Sequence, residues 1–295
     1  MLPETWTILK ILKWTTGYFK SHRLEQPRAA AEILLAHALG LRRVDLYVQY
    51  DRHLQVEELE LFRGFIKRRI QREPVAYIVG KKEFWSMDLR MTPDVLIPRP
   101  ETETLVEAAL SIVQPKPGPE PLRILDLGTG SGAIVLAMAS EWPGQSFYAV
   151  DRSEKALAVA RENARTRELD KTITFLQGDW FDPVRDRGRY FDVIVSNPPY
   201  IASHEFEVLP PEITEYEPRE ALDGGSDGLA AIRLIIEQAA HHMIPGGWLL
   251  FEIGHDQWVA VEKLISGGKT YRDWAVIKDY SGYDRVVRAK ATGTT

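Results

Sequence analysis

Over roughly the first 73 residues, apolar positions recur at helical spacing. Ile8, Ile11, Leu12 and Phe19 share one face; Ala30, Ile33, Leu34 and His37 share another; Leu59, Phe62, Ile66 and Ile70 make a third stripe. Pro27 stands where the second helix begins and Gly40 where it stops, as expected for proline in a first turn and glycine past a last one. Each stripe is too short to hold a helix alone in water, so residues 1–73 are predicted to pack as a small helical bundle. From Pro74 to Pro100 the pattern changes to strand-like pieces broken by turn formers, which predicts a β-hairpin linker. Gln114–Pro121, "QPKPGPEP", can be neither helix nor strand interior and reads as a loop.

From Leu122 onward, apolar runs of strand length alternate with helical patterns. The runs are "LRILDLG", "SFYAVD", "ITFLQGD", "FDVIVSN" and "GWLLFEIG", and helices are predicted within Ser153–Glu168 and Ser226–His242. "WAVIKDY" and "DRVVRAK" read as a closing hairpin, giving seven strands in all. Such alternation predicts an α/β domain over residues 101–295, a mostly parallel sheet with helices on both faces.

Composition narrows the class. The chain has 295 residues, enough for two domains, with 44% hydrophobic and 27% charged residues, as in ordinary soluble proteins. No apolar run approaches the ~20 residues that span a bilayer. The start, "MLPETWTILKILKW", is interrupted by lysines and lacks a small-residue cleavage site, so no signal peptide is expected. With no cysteine, disulfides, thiolate chemistry and Cys-ligated zinc are excluded, and the seven histidines show no H-x-x-x-H or H-E-x-x-H spacing, so no metal is expected. His241 and His242 fall near a helix end, where the dipole accounts for them. The net charge of −5 gives no general basic excess for a nucleic-acid duplex. The basic run Arg63–Arg72 reads as the solvated face of a helix. The acids between Glu212 and Asp227 read as a solvated loop or, alternatively, a surface for a basic protein substrate. A cytoplasmic monomer without membrane or direct nucleic-acid contact is expected.

Candidate chemistry gathers at the strand ends. The first long strand runs into "DLGTGSGAI", in which Gly128, Gly130 and Gly132 permit a sharp turn and close backbone approach to a ligand, with Thr129 and Ser131 between them. The second strand ends at Asp151, placed to accept ribose hydroxyls. The third ends at Asp179, followed by Trp180 and Phe181, an acid beside aromatic rings that suits an adenine. Ligands of open α/β sheets bind at these carboxyl ends. The glycines alone are also compatible with an empty βα turn. Their spacing, G-x-G-x-G, differs from the dinucleotide pattern G-x-G-x-x-G. With Asp126 in front it resembles motif I of the class I S-adenosylmethionine-dependent methyltransferases, which implies S-adenosyl-L-methionine as cofactor and Gly128–Gly132, Asp151, Asp179, Trp180 and Asn197 around it.

The fourth strand ends abruptly in Asn197-Pro198-Pro199-Tyr200, where the prolines stop the ladder. The quartet resembles the motif of enzymes that methylate a planar nitrogen: adenine N6, guanine N2 or a glutamine amide. Such a nitrogen is a poor nucleophile and needs acceptors for its protons and close alignment. In that resemblance the Asn197 side-chain oxygen and the Pro198 carbonyl supply the acceptors, the prolines hold them rigidly, and the Tyr200 ring stacks on the substrate. The stretches Pro74–Trp85, Val95–Glu107, Tyr216–Leu229, Phe251–Gly254 and Tyr280–Val287 all resemble one family, the bacterial release factor glutamine methyltransferases. It implies methylation of the glutamine of the Gly-Gly-Gln loop, peptide chain release factors as partners, and a helical N-terminal domain that recognises them. The family often has glycine where this chain has Ser86, a difference confined to the hairpin. Glu101 and Glu103 are either caps of the following helix or residues near the cofactor, or both. A nucleic-acid base methyltransferase and a non-catalytic binding module stand as alternatives.

Overall fold

The computed structural model describes residues 6–113 and 120–293, so most of the loop expected at Gln114–Pro121 lies outside the described residues. The contacts divide the chain into two units. One holds the residues up to Lys81 together with Pro210–Tyr216; the other holds Lys82–Leu209 and the residues from Glu217 onward.

The first unit is helical: α1 (Ile8–Ser21), α2 (Pro27–Leu39), α3 (Asp45–Val48), α4 (Val56–Ile70) and α5 (Val75–Val79). Thr7 caps α1 through its side chain, Pro27 opens α2, and Gly40 ends it at a φ of +62°. Ile8, Leu12, Phe19, Leu34, Leu35 and Phe62 form its core. The buried face of α2 differs from the expected stripe: Ala30, Ala31, Leu34, Leu35 and Ala38 face inward, while His37 is exposed. Alanines supply most of that face, and their small side chains conceal it in a hydropathy reading. Residues 75–79 are a second correction, because they belong to this unit as a helix and not to a hairpin. "VAYIV" has the composition of a strand, but Pro74 and Gly80 (φ +74°) bound it and Ile78 and Val79 fill the core.

The basic run of α4 is only partly solvated. Arg69 is 5% exposed, and its guanidinium donates to Glu212 at 2.9 Å; Arg72 reaches the same carboxylate at 3.3 Å. Glu212 lies on a short helix, α9 (Pro211–Thr214), which belongs to this unit although it follows the Asn-Pro-Pro-Tyr segment in sequence. Pairing with two arginines holds its carboxyl below the usual range against the opposing effect of burial. Neither the solvated-face reading of Arg69 nor the solvated-loop reading of Glu212 survives, because each charge neutralises the other.

The second unit opens with a hairpin, β1 (Lys81–Phe84) and β2 (Met87–Arg90), and continues through α6 (Glu103–Ile112) into a sheet. The strands β3 (Arg123–Leu127), β4 (Ser146–Asp151), β5 (Ile173–Gln177), β6 (Phe191–Ser196), β7 (Met243–Glu252), β8 (Tyr271–Lys278) and β9 (Asp284–Ala291) lie in the order 5-4-3-6-7-9-8. The first five run parallel, and β9 pairs antiparallel with both β7 and β8. The parallel crossovers carry helices α7 (Ala133–Glu141), α8 (Glu154–Thr166) and α10 (Ala230–His242), and α11 (Trp258–Ser266) precedes β8. Continuous apolar runs such as Val193–Val195 and Leu249–Phe251 are fully buried, as strands covered on both faces must be. His242 is buried at the end of α10 and stacks on Phe181 with ring centroids 4.8 Å apart. Burial holds its pKa below the usual value, and the neighbouring His241 adds to the shift.

Candidate active site

Strand order reverses between β3 and β6, the place where the carboxyl ends of an open α/β sheet leave a crevice. A cavity of about 570 Å³ lies there, in the usual range for small-molecule sites. Gly128 and Gly130 line it from the β3 side, Asp151 from β4, Asp179 and Trp180 from β5, and Asn197 and Pro199 from β6.

The glycine turn is held by its own main chain. The N–H groups of Gly128 and Thr129 both donate to the Val150 carbonyl, at 2.9 and 3.0 Å. Gly128 and Gly130 have φ of +70° and +55°, and a Cβ added to either would meet no protein atom within 4 Å. The space they leave belongs to the cavity, where backbone can approach a ligand closely. Gly132 does something else: a Cβ there would meet Leu136 at 3.1 Å and Ala160 at 3.3 Å, so this glycine lets α7 and α8 close together. Thr129 and Ser131 are buried beneath the turn. The Thr129 hydroxyl donates to Asp126 at 2.6 Å, and the Ser131 carbonyl accepts from Asn163 at 2.9 Å. These three of the five motif residues do not line the cavity; they shape the turn from below.

Asp126 is completely buried, and one of its oxygens has no partner. Burial pushes its carboxyl up to about 7, with the neighbouring charge of Asp151 adding to the shift and the Thr129 hydrogen bond opposing it. Asp151 accepts from the N–H groups of Gly130 (2.8 Å) and Ser153 (2.9 Å), one on each oxygen. A carboxylate has about four lone-pair sites, and Asp151 also lines the cavity. Burial raises the Asp151 pKa against those backbone bonds. Trp180 sits at a φ of +47°, an uncommon conformation for a bulky residue, and lines the cavity; Phe181 turns away into the core.

Asn197 follows β6, and the β6–β7 register, Ser196 opposite Phe251, brings it beside Glu252 at the end of β7. Glu252 is 1% exposed and accepts from two hydroxyls: Thr102 at 2.7 Å and Tyr200 at 3.0 Å. Thr102, in the 3-10 turn before α6, in turn accepts from the Asn197 amide nitrogen at 3.3 Å. A carboxylate accepts only, so the Thr102 proton points at Glu252 and the Asn197 nitrogen must point at Thr102. The Asn197 oxygen is thereby turned away from this chain of bonds. Burial raises the Glu252 pKa, while Thr102, Arg285 and Tyr200 oppose the shift. Tyr200 does not line the cavity. Its ring packs against the core and its hydroxyl is tied to Glu252. Pro198 is buried and does not line the cavity.

Two loops complete the walls. Residues 94–96, between β2 and α6, and Pro218, Glu220, Ala221 and Asp223 line the cavity. Glu217 binds them together, accepting from the Ile97 N–H at 3.1 Å and from Arg99 at 2.5 Å while only 7% exposed. Asp223 accepts from Ser203, Gly225 and Arg219, and Asp227 pairs with Arg233. Glu217 and Asp223 are thus engaged by the fold and do not belong to a solvated loop, while Glu215, Glu220 and Asp227 stay exposed. Glu103 accepts the Trp85 N–H at 2.8 Å, tying the hairpin turn to the start of α6.

Comparison with known proteins decides the family. Residues 10–80 match the model of the PrmC N-terminal domain, and residues 120–265 match a methyltransferase domain. The release factor glutamine methyltransferase of Geobacter sulfurreducens is 45% identical over 97% of both chains. The chain belongs to the release factor glutamine methyltransferase family. The family's member from Rhodopirellula baltica is 39% identical over 96% of this chain and 95% of its own, and that from Moorella thermoacetica is 44% identical over 89% and 90%. Among solved structures, a methyltransferase from Pyrococcus furiosus covers 77% of this chain and 98% of its own with a TM-score of 0.51 at 18% identity. The hMettl16 catalytic domain, solved with a 3′UTR hairpin, covers 83% and 86% with a TM-score of 0.56 at 14% identity. Both likenesses concern the fold, a class I methyltransferase sheet.

The cavity suits the family's cofactor, S-adenosylmethionine. Two glycines leave room that no protein atom fills, and the Asp151 carboxylate lines the same space. Sequence reasoning missed the residues that arrange this family member's site from outside the motifs: Thr102, Glu252, Glu217 and the 94–96 loop. The signal was present in "RPETE" and "FEIG", whose polar residues stand beside strand ends, but only the sheet register shows that they meet Asn197.

Proposed function

We infer that the protein transfers a methyl group from S-adenosylmethionine to the side-chain amide nitrogen of the glutamine in the Gly-Gly-Gln loop of peptide chain release factors. What supports this reading is Asn197, which lines the cavity while its amide nitrogen is engaged by Thr102, so that its oxygen is left out of that bond and stands next in sequence to the Pro198 carbonyl. Two acceptors on one rigid turn match the two protons of a primary amide. Bound S-adenosylmethionine supplies an electrophilic methyl on a sulfonium. Asn197 and Pro198 would orient the amide so that its nitrogen faces that methyl; as the new N–C bond forms the methyl–sulfur bond breaks with its electron pair left on sulfur, and the amide nitrogen's surplus proton passes to solvent. Gly128 and Gly130 make room for the methionine part, Asp151 accepts from the ribose hydroxyls, and Asp179 and Trp180 hold the adenine. Thr129, Ser131 and Gly132 shape that turn, and Pro199 and Tyr200 brace the substrate acceptors. Alignment within a preorganised site supplies most of the rate.

The helical unit, with residues 1–73 at its heart, reads the body of the release factor. Trp14, Tyr47 and Tyr50 are half exposed there and suit a protein surface. The enzyme works as a cytoplasmic monomer without direct nucleic-acid contact; among the described residues no helix is long and apolar enough to cross a membrane. The test offers labelled S-adenosylmethionine with release factor, with tRNA and rRNA, and with duplex DNA. Label on the release factor glutamine is expected. Label on nucleic acid supports a base methyltransferase, and no transfer at all supports a binding module.

A further inference from the structure

The hydrogen bonds behind Asn197 have a direction. Glu252 can only accept while ionised, and it holds the Thr102 and Tyr200 hydroxyls on separate oxygens, at 2.7 and 3.0 Å. Thr102 has given its only proton to Glu252, so it can only accept from Asn197. The side-chain amide of Asn197 is otherwise symmetric in shape and could sit either way round. Turned over, it would offer two N–H groups to a substrate amide whose own N–H groups need acceptors. The choice between a productive and an opposed Asn197 therefore rests on a buried carboxylate that reaches it through a threonine.

We propose that Glu252 and Thr102 are positioning residues for methyl transfer, setting the Asn197 amide so that its oxygen faces the substrate, with Tyr200 completing the Glu252 coordination. This assignment rests on the functional reading above. Neither Glu252 nor Thr102 lines the cavity, so both act through Asn197. Arg285 makes an ionised Glu252 tenable: it lies close enough to lower the Glu252 pKa, and it is itself fixed by Asp279 at 3.1 Å and by the Ile253 carbonyl at 3.2 Å.

The decisive variant is Thr102→Val, which keeps the shape and removes the hydroxyl. Its single-turnover rate on release factor should fall on the order of 10–100-fold, between wild type and loss of one preorganised contact altogether. Affinity for S-adenosylmethionine by calorimetry and the Tm should stay near wild type, and KM for release factor should change by less than about threefold. Thr102→Ser, which restores the hydroxyl, should recover the rate to within about threefold. Glu252→Gln can accept only one of the two hydroxyls and should slow turnover by about 10-fold. Combined with Thr102→Val it should add little, because both act along one path. A Thr102→Val rate equal to wild type, a Thr102→Ser variant as slow as Thr102→Val, or multiplying effects in the double variant would overturn the assignment. These outcomes presuppose a wild type that labels release factor; a wild type that does not would sink the functional reading itself, and with it the assignment.

Discussion

The turns after β3 and β6 leave neighbouring strands at the same sheet edge, yet they are held by different means. The glycine turn is secured by main-chain bonds to Val150 and by left-handed residues that carry no side chain. Its side chains, Thr129 and Ser131, point beneath it. The Asn-Pro-Pro-Tyr turn has no left-handed residue, and its stiffness comes from two proline rings. Its one aimed side chain is oriented by Thr102 and Glu252, which come from other elements. A turn that must surround a ligand does so with bare backbone. A turn that must aim a single oxygen needs partners that fix a rotamer, and those partners can come from anywhere the fold brings close.

The contrast can be broken most sharply at Asn197. Asn197→Ala removes the aimed oxygen and leaves the proline turn intact. Turnover should fall on the order of 10²–10³-fold, about 3–4 kcal/mol, with cofactor affinity preserved. A single-turnover rate within about threefold of wild type would reduce that segment to a strand terminus. Asp151→Ala tests the other turn. It should weaken S-adenosylmethionine binding by roughly 1.5–3 kcal/mol through lost charge-assisted bonds, and a calorimetric dissociation constant equal to wild type would take Asp151 out of the site.

A third test lies beneath the glycine turn. The folded protein holds the Asp126 proton up to about pH 7, whereas the unfolded chain releases it near the ordinary carboxylate value. The folded state thus binds more protons between about pH 4 and pH 7, so this group's contribution to stability is present at low pH and lost as pH rises through that window. Asp126→Asn should flatten the dependence by up to one proton, at most about 1.4 kcal/mol per pH unit. Urea unfolding at pH 5 and pH 7 measures it, and an unchanged slope would mean that Asp126 does not titrate there.

The smallest effect is expected at the hairpin. Trp85 and Ser86 form its two-residue turn at φ of +51° and +56°, the conformation that the motif turn gives to glycine. Ser86→Gly should raise stability by roughly 0.5–1 kcal/mol by removing strain there. A lower Tm would show that the serine side chain contributes more than its backbone costs.

The strand runs, the parallel sheet and the glycine motif were legible in the sequence because period, length and residue type are local properties. Asn197, Asp151 and Asp179 could be picked out for the same reason: each ends a strand, and strand ends face the crevice of such a sheet. Locality also explains the misreadings. Val75–Val79 has strand composition, and only its packing on neighbouring helices, with Pro74 and Gly80 at its ends, makes it a helix. The inward face of α2 is built from alanines that carry almost no hydropathy signal. Arg69 and Glu212 each look like solvated charges until the fold pairs them. Thr102 and Glu252 are the furthest case, since an acid at the end of one strand and a hydroxyl in a distant turn gain their meaning from β6–β7 register and the seating of α6. By itself, the sequence determined which atoms the protein can bring to a reaction, because those are set by residue type at strand ends. Only the tertiary structure decided which way they face, because a hydrogen-bond direction depends on a partner that the chain supplies from elsewhere.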